Sequence, residues 1–392
     1  MNKSAQHGLS VLFFHSEHDI MYLVTHSDSN SEFGYLQPMQ RQLTRSLTSV
    51  DGFPRAVGRL LRAEMVLCIH KGKTYRQAIE QEDSIMKNFI KKISPFNNRT
   101  DMPTAMLVTK ILLAFILCYW TGLLLAEGIV IGVMFVCGKN FMQGEMFSDN
   151  VMDLLKYYGM VVIIGVSVLY RKLIGKRKLS EMGVTKHIGG WFMGALIGVG
   201  LLTVCTAAIA LTGSIRFEGV FSNPDALMIL LMLGGFVIQG AAEEFLCRGL
   251  VLCSLKDRVP LPVAVAVSTL TFIYPHWSTL REFEPQYVLS GLLCLVVISC
   301  VFSFLTLRTG SIWAACGLHS VWNFCLSCVL GLDLSGSEGA STALINMKSV
   351  GKNLLNGGAY GIEASIIAAI VISAAAVLLW LMYKKNNTER QA

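Results

Sequence analysis

From about residue 105 onward the chain is a succession of long apolar runs divided by short polar stretches, at 105–137, 155–171, 190–212, 225–255, 260–276, 286–307, 311–331 and 360–383. None of them alternates apolar and polar positions residue by residue, as the strands of a membrane barrel do. Their lengths suit a hydrocarbon layer that takes roughly 20 residues of helix to cross. Lipid offers no partner to a backbone N–H or C=O, so a crossing segment must satisfy its own, which a helix does. The pattern predicts an all-α fold, a polytopic membrane helix bundle with about eight transmembrane helices. Residues 1–100 differ in kind, being polar and mixed in charge without a spanning run. They are read as a solvated or disordered segment. Within them residues 60–67 could form a short amphipathic helix, His15 and His18 have a loosely metal-like spacing, and Val11-Leu12-Phe13-Phe14 is cut short by His15, Glu17 and Asp19, unlike a secretory leader. Met86 opens the basic lead Met-Lys-Asn-Phe-Ile-Lys-Lys into the first run, which suggests a natural start there. The expected organisation is a polar segment over 1–100, a membrane domain over 101–385 and a cytoplasmic tail over 386–392.

Composition strengthens this picture. Hydrophobic residues make up 53% of the 392 and charged ones only 15%, with mean hydropathy +0.54, whereas soluble domains are about a quarter charged. The net charge of +7 does not mark a nucleic-acid binder once its positions are considered. Lys87, Lys91, Lys92 and Arg99 precede the first run; Arg171, Lys172, Lys176, Arg177 and Lys178 follow the second; Lys256 and Arg258 follow the fourth, Arg308 the sixth, and Lys384 and Lys385 the eighth. These are alternate connections, so the positive-inside rule places both termini in the cytoplasm; the expected location is a prokaryotic cell membrane, which the lack of an organelle signal allows but does not prove. Ten of the 11 cysteines lie in or beside apolar runs and read as small buried residues; Cys325-x-x-Cys328 is read as helix packing, not as a redox pair.

Ionisable groups inside spans are costly and therefore mark function first. Glu243, Glu244 and Arg248 lie in the fourth run, His276 closes the fifth, and His319 with Asn323 lies in the seventh. Glu127, alone in the first run, reads as a bend or an interface. Glu244 and Arg248, four residues apart in the favourable acid-first order, can pair along one helix face. Glu243 is turned about 100° away and is free to face a polar cavity as a base. Phe272 and His276 share a face, as do His319 and Asn323. Each group taken singly could be a packing or clamping residue, but together they supply a base, proton carriers and donors for an oxyanion, the needs of peptide hydrolysis by activated water.

In order and in span, Glu243-Glu244-x-x-x-Arg248, Phe272-x-x-x-His276 and His319-x-x-x-Asn323 resemble the three motifs of the type II CaaX prenyl protease and bacteriocin-processing (CPBP, or Abi) family of intramembrane proteases. Leu307 to Ala315 also resembles that family's approach to its last motif, and the likeness is strong over about 190–331. The resemblance implies an intramembrane endopeptidase in which Glu243 activates water with help from His276, His319 and Asn323 steady the oxyanion, and Glu244 and Arg248 support them. It further implies a peptide or protein substrate met in the lipid bilayer, with peptide maturation or bacteriocin self-immunity as contexts; the site itself is expected between the fourth, fifth and seventh helices, open to the cytoplasmic side. The family's metalloprotease label leaves two chemistries open: Zn²⁺ held by Glu243, His276 and His319, or a metal-independent glutamate mechanism. A transporter would also bury such groups, but with inverted repeats that the chain does not display. A scaffold or immunity protein could retain the motifs by descent.

Overall fold

The computed structural model describes residues 10–16, 19–25, 75–337 and 343–391. The chain divides into two units, Met1–Phe89 and Ile90–Ala392. In the first, β1 (Ser10–Ser16) pairs antiparallel with β2 (Asp19–Thr25), Phe13 opposite Tyr22. Two runs rich in aromatic and branched side chains, only two residues apart, favour this hairpin over the solvated segment expected from the overall polarity. Helix α1 (Tyr75–Ile93) contains Met86 and the basic lead. The amphipathic stretch at 60–67 and His18 lie outside the described residues.

Every one of the eight apolar runs carries a helix. They are α2 (Thr104–Val136), α3 (Asp149–Ile174), α4 (Gly189–Leu211), α5 (Ala226–Leu255), α6 (Leu261–Leu280), α7 (Pro285–Thr309), α8 (Trp313–Phe324, continued by a π-helical turn at Cys325–Val329) and α9 (Ile366–Gln391). Pro260 and Pro285 open α6 and α7, where a missing N–H costs nothing. The left-handed Gly310 (φ 66°) ends α7. Six of these helices are long and apolar enough to cross a membrane; α6 and α8 are not among them. The expectation of about eight spans thus becomes six apolar spans and two more polar helices. Helix α9 runs on through most of the segment expected as a tail.

Those two helices are held inside the bundle. Helix α8 packs on α4 and α5, and α6 packs on α7. The α4–α8 contact is close because it lacks side chains: a Cβ on Gly194 would lie 1.9 Å from the Ala314 carbonyl oxygen, and one on Gly317 would lie 1.9 Å from that of Trp191. Small residues let two backbones meet in this way inside a membrane. Large apolar side chains such as Leu124, Ile129, Leu196 and Leu230 remain exposed around the outer helices, as a lipid-facing surface requires. The Ser/Gly-rich 333–356 connection is also structured where described. Its β4 (Ile345–Ser349) pairs antiparallel with β3 (Ile215–Val220), with a bulge at Phe217/Gly219. The fully buried Asn356 ties the same loop to the Ser214 and Gly351 carbonyls. All ten described cysteines are free thiols, Cys325 and Cys328 included.

Candidate active site

The adjacent acids of α5 face different surroundings. Glu243 Oε1 accepts a hydrogen bond from Gln239 Nε2 at 2.6 Å, and Gln239 Oε1 in turn accepts one from Asn323 Nδ2 at 2.9 Å. The other oxygen, Oε2, is buried without a hydrogen-bond partner and lies 3.9 Å from His276 Nε2. His276 Nδ1 stands 2.8 Å from the Phe272 carbonyl, one turn back on α6. A carbonyl can only accept, so Nδ1 carries the hydrogen, and in the neutral tautomer Nε2 presents a lone pair to Glu243. Two acceptors 3.9 Å apart do not bond to each other, but both can accept hydrogens from one water placed between them.

Glu244 is fully enclosed on the other side of the helix. Its Oε1 accepts from Arg248 Nη1 at 3.0 Å and lies 3.1 Å from His319 Nδ1. Arg248, also without exposure, donates through Nη2 to Ser299 Oγ at 2.7 Å and to the Ser299 carbonyl at 3.1 Å. Its guanidinium lies 4.7 Å from the Phe272 ring centre and 4.9 Å from that of Phe302, a cation enclosed by two aromatic faces. Phe302 also stacks on the His319 ring at 5.0 Å and 18°. The carboxylate thereby fixes His319 with Nδ1 inward. The ring reaches the cavity by its remaining edge.

A cavity of about 220 Å³ joins these groups, lined by Glu243, Gln239, His276, His319 and Asn323 together with Phe272 and Phe302. Lys156 of α3 and Ser335, Ser337 and Glu363 of the α8–α9 connection lie on the same wall. The cavity therefore reaches the bundle end that carries the cation-poor connections. The sequence reading placed the opening with the cation-rich ones; helix registers, which no charge count contains, place it at the opposite end. Glu127 is exposed on α2 and takes no part in the lining.

All six expected site residues come together, but in two sets. Glu243 faces His276, whereas His319 turns to Glu244. The three candidate metal ligands do not converge: among the described residues no group of three His, Cys, Asp or Glu side chains is arranged to hold a metal ion. The donor set as arranged does not fit a zinc centre built on Glu243, His276 and His319.

Helices α5 to α8 also carry a match to a known family. Residues 225–325 match the family model of the type II CAAX prenyl endopeptidase Rce1-like proteins. The matched stretch begins at Asp225, whose side chain caps α5 by accepting from the Met228 N–H at 2.9 Å, and ends just past Asn323. It takes in all three motifs, in agreement with the CPBP resemblance. Comparison with curated proteins and with solved structures gave no match.

Within this Rce1-like segment the structure adds residues that the motif reading passed over. Gln239 is one turn before Glu243 on the same face, a polar amide in an apolar span; a search for ionisable groups overlooks it because it carries no charge. Ser299 and Phe302 of α7 complete the Arg248 and His319 contacts. Their only sequence signal is a serine in an apolar run. Outside the segment, Glu363 anchors the cavity wall by accepting from Trp322 Nε1 at 3.0 Å and from Ser335 Oγ at 2.7 Å.

Proposed function

We propose that the protein is an intramembrane endopeptidase in which Glu243 is the general base. The observation that carries this reading is the buried, unpartnered Glu243 Oε2 facing His276 Nε2 across 3.9 Å in the cavity. A water held between them donates a hydrogen to each and keeps its lone pairs for a carbonyl carbon. Glu243 takes one proton as the water oxygen bonds to that carbon. The C=O electron pair becomes an oxyanion toward the wall formed by His319 and Asn323, where Asn323 has a second amide hydrogen beyond the one given to Gln239. Collapse of the intermediate expels the amine, which takes the proton from Glu243 directly or through His276. The products are a carboxylic acid and an amine, with no atom unaccounted for.

The role of Glu244, Arg248 and Ser299 in this scheme is to hold His319 and to keep a buried charge paired. The substrate is a peptide or a protein tail that enters beside Lys156 and the Ser335 loop. Peptide maturation and self-immunity to a bacteriocin are the physiological settings this reading favours. Zinc plays no part in the steps, since its expected ligands are split between two sets.

The deciding experiment is purification of the chain, reconstitution in lipid and incubation with a peptide library. Glu243→Gln, which keeps the size and the hydrogen-bonding capacity of the side chain, should end cleavage while leaving the folded protein intact. Cleavage that persists in this variant would refute Glu243 as base. A folded wild-type protein that cleaves nothing would favour a scaffold.

A further inference from the structure

A second cavity of the membrane unit, about 400 Å³, lies at the other end of the bundle from Glu243, among the ends of α3, α5 and α7. Arg177, Lys256 and Arg258 line it, with Glu181 and Asp257 as the acidic members. The cations here are short of counter-charge. Arg177 Nη2 and Arg258 Nη1 both donate to the same neutral hydroxyl, Thr100 Oγ1, at 3.2 and 2.8 Å. Glu181 is shared between Arg177 at 3.0 Å and Arg171 at 3.5 Å. Behind the wall Arg171 is 5% exposed, and its Nε has no hydrogen-bond partner. Lys110, 3% exposed, donates among the described residues to the Asn97 side chain and the Arg99 carbonyl.

Three helix C-termini meet at this point, and each contributes a partial negative charge of about half a unit. Among the described residues these ends, together with Glu181, Asp257 and the neighbouring Asp101, fall short of the charge carried by Arg99, Lys110, Arg171, Arg177, Lys256 and Arg258. Lys110 and Arg171 are buried behind the wall, where like charges without an anion beside them are costly, while Arg177 and Lys256 are half-buried at the wall and Arg258 is exposed. An anion with several acceptor oxygens would relieve that cost, and a phosphate group matches guanidinium donors in geometry as well as charge. The position selects among phosphates: helices that cross a membrane bring their ends to the level of the lipid headgroups, where basic pockets between spans collect anionic lipid.

We infer that this cavity is a binding site for the phosphate of an anionic phospholipid, independent of the proteolytic reading above. The test uses the purified full chain in detergent, with thermal unfolding followed as phosphatidylglycerol, phosphatidylcholine or inorganic phosphate is added. Phosphatidylglycerol should raise Tm by several degrees where phosphatidylcholine at the same mole fraction does not. The double variant K256Q/R258Q, at half-exposed and exposed positions whose loss leaves the core untouched, should lose most of that rise. K384Q, at an exposed basic position on α9 that does not line the cavity, should keep it. Equal shifts with both lipids, or a full phosphatidylglycerol shift in K256Q/R258Q, would overturn the site. An equal rise with inorganic phosphate at the same concentration would overturn the lipid assignment in favour of a soluble phosphate.

Discussion

Replacing Gln239 with leucine probes the active-site assignment without touching any group that carries the chemistry. Gln239 is the side chain that bonds to both Glu243 and Asn323. Leucine keeps its bulk but offers neither donor nor acceptor, so Glu243 loses the bond to Oε1 when Oε2 already has none. A hydrogen bond to a charged group contributes about 1.5–3 kcal/mol. At about 1.4 kcal/mol per decade in rate, loss of that orientation at the transition state predicts a fall in kcat of roughly 10- to 150-fold. Gln239 makes no step of the reaction, so KM should change little and kcat should carry the loss. The assay is cleavage of a peptide by reconstituted enzyme, with Tm measured on the same preparation. A double-mutant cycle with Asn323→Leu should show strong coupling, since both variants break one chain of bonds. Unchanged kcat in folded Q239L, or additive effects in the cycle, would refute the relay.

The other expectations concern the base, the buried pair, the close helix contact and the metal. Glu243→Gln should reduce kcat by about 10²–10⁴, the usual contribution of a positioned general base, with Tm near that of the wild type; a circular dichroism melt alongside the cleavage assay checks both. Arg248→Met leaves Glu244 buried without its cation and should cost about 3–5 kcal/mol, read as a large fall in Tm or as loss of folded protein in detergent. Gly317→Val would drive a side chain into the Trp191 carbonyl, where even a Cβ would lie at 1.9 Å; separation of α4 and α8 should displace His319 and abolish activity together with stability. Incubation with a strong zinc chelator should leave kcat/KM unchanged; loss of activity restored by added zinc would contradict the metal-independent scheme.

Much of this site is legible in the sequence because membrane spans tolerate so few ionisable groups. Glu243, Glu244, Arg248, His276, His319 and Asn323 stand out against apolar neighbours, and four-residue spacing correctly puts Arg248 beside Glu244. The polar groups that reveal the site also weaken the signal of the helices that carry it. Ser268, Thr269, Thr271, Pro275 and His276 dilute the apolar character of α6, and α8 is a short helix that ends in a π-turn, so both fall outside the six apolar spans. Helix ends were also blurred: α6 extends to Leu280, which places His276 a turn inside it. What stayed hidden depends on register between elements distant in the chain. Nothing local to Ser299 says that it meets Arg248, and nothing in Ile345–Ser349 says that its partner strand is Ile215–Val220.

Register also accounts for why two adjacent glutamates can do different work. A 100° step between neighbours on a helix sends Glu243 to the cavity and Glu244 into a closed box of Arg248, His319, Phe272 and Phe302. Two uncompensated carboxylates at such short range would repel strongly in a medium of low polarity. Arg248 cancels the charge of Glu244 from inside the box, and a π-helical segment, Phe245–Leu252, begins just after the acids. Such segments recur at functional sites because the wider turn re-aims the side chains within it. Here it contains Arg248, held between the aromatic faces of α6 and α7. With the neighbouring charge neutralised and buried, Glu243 faces the substrate cavity under the influence of Gln239 and His276 rather than of a second anion. The pairing that looks purely structural is therefore what leaves Glu243 free for the role of base proposed for it.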